Sequence, residues 1–513
     1  MRRFVPHLAL LALSLGSLTA APAVGAELDY EALAKAALER HGQADSMPET
    51  FTFDDFAKQG FVHLEVGLFD LYMEQDAFAN GTDAKRFLNV AASLAVMQAA
   101  WLNWVDPVGA EIQTQRKVAL DLASELGKAQ VGTALSALSK LQATAGDGVL
   151  TETVDLAPLL GIKAEKLPGF RDLAQYLQVS GGLGLERTAR REPMILYPSR
   201  ERYVEVIALA GWARPEARAS MWSPNVYTWT NFYVNDWRFL AMAFSPANPT
   251  DSTYKQSNAM ENRIPTGLEQ QICQLAGVGL LDNYFGGRIP PGVAGGLSLN
   301  LVVDIFGECN TRVDGDLRER RKEAREMFVP GGQSEGGVLP PDLADSRWRD
   351  THGKDHFIGV LKNAQKEGRD KVNKREAKDK VRYFLLRADD EVTSAVLEGP
   401  ILGRQGNQLA KIGKEFYGDR LEFARCYSSC FLYWLREKGG GKKPVESQAQ
   451  FSGLLRALAT TDGLQAGGIV EADPSETFEK IFAEHYGMPL SDPSLDAKSS
   501  LEGGFLNWLP KAR

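Results

Sequence analysis

Leu268-Glu269-Gln270-Gln271-Ile272-Cys273-Gln274-Leu275 decides how this chain reads, together with Arg288-Ile289-Pro290-Pro291-Gly292-Val293-Ala294-Gly295-Gly296-Leu297 twelve residues on. The spacing predicts a helix over 266–281 and a second over 295–306, with Gly and Pro punctuating the turn between them. A third helix follows over 421–437. This half of the chain therefore reads as helical.

Upstream the pattern changes. Met194-Ile195-Leu196-Tyr197 reads as a short buried strand, and Ser199 can cap a helix that runs to about residue 210 and stops at Gly211. Residues 225–234 alternate aromatic and β-branched side chains, and 237–244 read as another strand. Asn235-Asp236 between them suits a hairpin. Farther toward the N-terminus, 27–165 reads as helical, over 28–40, 84–104 and 111–141. His41 and His63 (in Phe61-Val62-His63-Leu64-Glu65) read as satisfied structural side chains. Ser180-Gly181-Gly182-Leu183-Gly184 reads as a linker. The charged runs 317–326 and 362–382 read as solvated helix faces separated by a polar loop at 330–337, with docking of an acidic partner the lesser alternative for the second. The expected fold class is α+β and mostly helical. A helical region at 27–165 precedes a small, mainly antiparallel sheet at 190–260, and a helical part at 261–513 carries a charged insertion at about 310–385.

Residues 1–26 have the layout of an export signal. Arg2 and Arg3 form the charged end, 8–18 an apolar stretch too short to span a membrane, and Val24-Gly25-Ala26 a small-residue cleavage site. The expectation is an exported chain, periplasmic or secreted, with no later membrane span. Without Arg2 and Arg3, 56 basic side chains face 66 acidic ones, a balance near −10 that speaks against nucleic-acid binding. The 487 residues after the signal are enough for two or three domains. Cys273, Cys309, Cys426 and Cys430 are the disulfide candidates, and at least one bridge is expected from the Cys426/Cys430 helix to Cys273 or Cys309.

Residues 194–509 resemble the peptidase-MA-like gluzincins, in particular an exported bacterial branch of unassigned function. In that family a strand–helix–strand unit precedes a helix bearing His-Glu-x-x-His. A Pro-rich turn then leads into Trp-Leu-x-Glu-Gly-Leu-Ala, whose Glu is the third zinc ligand. Here residues 282–291 resemble the turn, and Gly295-Gly296-Leu297-Ser298 the Glu-Gly-Leu-Ala step. Phe423-Ala424-Arg425-Cys426-Tyr427, Phe478-Glu479-Lys480-Ile481-Phe482 and Phe505-Leu506-Asn507-Trp508 resemble later family helices. Two registers fit the first helix. With Glu269 as the motif Glu, the His positions hold Leu268 and Ile272. Matching Gln274-Leu275 to the Gln-Leu after the second His gives Glu269, Gln270 and Cys273 instead, the preferred alignment. It leaves Glu269 and Cys273 as an unorthodox pair of candidate metal ligands, and Gln270 cannot serve as a general base. In both registers Gly295 stands where the third ligand should be.

The resemblance thus implies a metallopeptidase frame without its metal. Zinc is expected to be absent, because a cation without fixed ligands cannot activate water. His352 and His356, four apart, are secondary metal candidates and otherwise read as exposed. The leading expectation is a non-catalytic exported protein that binds a peptide, a protein or a cell-envelope ligand, with strand addition at the sheet as the natural mode. One alternative is a metal-dependent hydrolase with an unorthodox site. The other is a structural envelope protein that assembles through its N-terminal helices.

Overall fold

The computed structural model describes residues 28–40, 60–145, 152–163, 191–213, 218, 222, 231–234, 239–243, 266–285, 291–306, 420–439, 443–460, 474–490 and 498–511. The fold is α+β and mostly helical. Contacts divide it into two units, one of residues 1–51 with 201–228, the other of 52–200 with 229–513.

In the smaller unit, helix α1 (Tyr30–Arg40) has Arg40 ion-paired with Glu205. The Tyr30 ring stacks on Trp222 at 5.9 Å, and the Trp222 indole N–H donates to the Ala208 carbonyl at 3.0 Å. The Arg218 guanidinium lies over the Trp222 ring, 4.8 Å from its centroid.

The larger unit is built on a six-stranded sheet. Strands β1 (Phe61–Val66) and β2 (Phe69–Glu74) form an antiparallel hairpin; β3 (Val154–Asp155) flanks β1 in parallel. Helices α2 (Gln75–Phe78), α3 (Gly81–Val105), α4 (Ala110–Lys128), α5 (Val131–Thr144) and α6 (Leu156–Leu159) lie within the same stretch of chain. Strand β4 (Glu192–Tyr197) pairs in parallel with β2, and the chain then enters helix α7 (Arg200–Ala213), which from Glu201 on belongs to the smaller unit. Strands β5 (Asn231–Val234) and β6 (Phe239–Ala243) form a second hairpin, and β6 pairs in parallel with β4. The order is β3-β1-β2-β4-β6-β5.

Three expectations change. The sheet is mixed rather than mainly antiparallel: three of its five ladders are parallel, because β1–β3, β2–β4 and β4–β6 are each joined through helices rather than tight turns. Residues 27–165 are not wholly helical, since β1, β2 and β3 arise there and share a sheet with 192–243. The run at 111–141 is two helices that part at Ala129-Gln130, flanked by Gly127 and Gly132, residues that weaken a helix interior.

The β1–β2 hairpin alternates cleanly. Val62, Leu64 and Val66 of β1 and Phe69, Leu71 and Met73 of β2 are buried, while the residues between them are mostly half-buried. A two-residue loop closes it, with Gly67 at φ 60°, a conformation that favours glycine. Helix α3 covers the buried face. Fourteen of its 25 residues are buried, so although it is long and apolar enough to cross a membrane, it is a core helix. Its one buried amide, Gln98, holds the hairpin turn: Oε1 accepts from Leu68 N at 3.0 Å, and Nε2 donates to Val66 O at 3.1 Å.

Helices α8 (Thr266–Phe285), α9 (Pro291–Phe306) and α11 (Pro444–Thr460) pack on α3, and α10 (Arg420–Lys438) meets it where Arg436 lies over Trp104; α12 (Pro474–Tyr486) packs on α11 and α13 (Leu501–Trp508) on α10. Helices α9 and α10 run parallel, since Asn300 meets Ser429 and Asp304 meets Arg436.

Candidate functional site

The stretch that suggested a metal site forms a helical hairpin, with α8 and α9 packed on one another. Five residues join them, a length that favours antiparallel neighbours. On α8, Gln270, Ile272 and Cys273 have no exposed surface, and Ile272 and Cys273 belong to the apolar core. Gly295 on α9 is buried too, and its carbonyl accepts the Ser298 hydroxyl at 2.9 Å. The side chains of Leu268 and Glu269, in the first turn of α8, lie outside the described residues, as do His352, His356, Cys309 and the Cys426 side chain.

Gly277 marks a close approach within the hairpin. A Cβ on Gly277 would sit 3.5 Å from Ser298 Cβ, 3.6 Å from Leu301 Cδ1 and 3.4 Å from Met97 Sδ, so a missing side chain lets α8, α9 and α3 meet there. Cys273 is one turn from that point on the side away from the hairpin turn. Gly295 is nearly one turn from it on the side toward the turn. In antiparallel helices at 1.5 Å per residue, those displacements add to about 10 Å along the hairpin axis. Ligands to one zinc ion lie about 2.0–2.3 Å from it. The two segments therefore sit on adjacent, packed helices, offset in register. Cys430, on α10, is a buried free thiol whose pKa burial raises well above the ordinary value. Among the described residues no three His, Cys, Asp or Glu side chains are arranged to hold a metal.

Two polar assemblies escaped the sequence reading. The first ties α3, α9 and α10 together. Arg436, 8% exposed, makes a two-pronged ion pair with Asp304 at 2.7 and 3.0 Å and donates from Nε to Glu437 at 2.9 Å. The Trp104 indole N–H also donates to Asp304 at 3.0 Å, and its ring lies 4.6 Å below the guanidinium. Burial alone would ease the proton off Arg436; Asp304 and Glu437 outweigh it and hold the charge more firmly. Ser452 of α11 joins by donating to the Trp104 carbonyl at 2.6 Å. No local pattern announces this cluster, because its members are 132 to 348 residues apart.

The second assembly occupies the other face of the β1–β2 hairpin. His63 Nε2 and Asp70 Oδ1 are 3.0 Å apart, and since a carboxylate only accepts, Nε2 carries the proton. The Tyr72 ring packs on the imidazole at 4.8 Å. Arg191, just before β4, donates to the Gly67 carbonyl at 3.2 Å, pairs with Glu65 and reaches Asp70 at 3.9 Å. Asp155 is the register partner of His63 across the β1–β3 ladder. Burial raises the pKa of Glu65, with Arg191 opposing the shift. Strict alternation around Gly67-Leu68 was the signal that could have found this row.

Comparison with protein-family models, with curated proteins and with solved structures found no match.

Proposed function

We propose that this chain is an exported, gluzincin-like protein that has given up metal chemistry and acts as a binding module for a peptide, a protein or another component of the cell envelope. The observation that carries the reading is the fate of the motif helix. Gln270, Ile272 and Cys273 face the interior with no exposed surface, where a hydrolytic site would need room for a cation, water and substrate. Three fixed ligands would have to offset the cost of stripping water from the ion; the buried positions offer an amide, an alkyl group and a thiol, and Gly295 offers no side chain. The chain has kept the helical hairpin and uses it for packing. Binding then falls to surfaces away from α8, with an extended segment adding to the mixed sheet as the mode this architecture favours.

The test is a peptidase assay on the purified mature chain against a mixed peptide library, with zinc added and with a chelator added. The expected result is no turnover in either condition. Turnover that zinc supports and the chelator abolishes overturns the proposal.

A further inference from the structure

We draw no further inference here: the strongest candidate, the surface pocket at the N-terminal end of helix α5 lined by Gln130, Gly132, Thr133, Ser136, Ala137 and Lys140, is a helix N-terminus framed by mostly exposed side chains, and nothing among the described residues points to a ligand in it.

Discussion

Replacing Asp304 by alanine strips one guanidinium of its principal partner while leaving it inside the protein. In the native structure Arg436 spends both terminal nitrogens on Asp304, and only its Nε has a second acceptor, Glu437. Truncating one member of a buried pair costs about 3–5 kcal/mol, most of it the penalty of a stranded charge. Two features lower the figure here. The Asp304 side chain is 27% exposed, so water can reach the gap, and Glu437 and the Trp104 ring still face the cation. Asp304→Ala should therefore cost about 2–3 kcal/mol, and Asp304→Asn, which keeps the shape and one acceptor, about 1–2 kcal/mol. The assay is equilibrium urea unfolding followed by tryptophan fluorescence, with Trp104 inside the cluster as reporter. A cycle that includes Arg436→Ala and the double variant isolates the coupling between the two side chains. A loss under about 0.5 kcal/mol for Asp304→Ala, as for exposed pairs, would refute the claim that this bond locks α9 to α10.

The remaining predictions address the hairpin and the buried thiol. Gln98→Leu leaves Leu68 N–H and Val66 C=O without their buried partner; a loss of about 1–3 kcal/mol and faster amide exchange at Leu68 are expected, and unchanged exchange counts against the clamp. Glu65 binds its proton more readily when folded than when unfolded, so its contribution is full below the ordinary glutamate value of about 4.3 and is lost as pH rises through the higher folded value. Wild-type stability measured against Glu65→Gln should accordingly decline across that window, and a difference independent of pH contradicts the reasoning. Cys430 should resist alkylation in the native chain and react once urea unfolds it, with rapid native labelling at that residue as the contrary outcome.

What could be read in advance followed local punctuation. Helices α8, α9 and α10 were found because Gly and Pro bound long apolar runs, and the β5–β6 hairpin because alternation meets Asn235-Asp236. The β1–β2 hairpin was equally legible in Phe61-Val62-His63-Leu64-Glu65-Val66 and Phe69-Asp70-Leu71-Tyr72-Met73, but its helical neighbours hid it. His63 read as a satisfied side chain, and one of its nitrogens is indeed bonded. The parallel ladders were not legible, since strand direction depends on where a crossover returns the chain. Nor was the offset between Cys273 and Gly295. Motif matching aligns residues along a chain, whereas Gly277 and Ser298 set how the two helices slide against each other. The Trp104–Asp304–Arg436 cluster lay beyond any window, since only the folded backbone brings its members together.

The most direct test of the account is the zinc content of the mature chain, purified without chelator, equilibrated with zinc and freed of excess by dialysis. The proposed reading predicts well below one ion per chain, on the order of a tenth or less, since among the described residues no three metal-ligating side chains meet at one point. One ion per chain, lost when Cys273 is replaced by alanine, would contradict it.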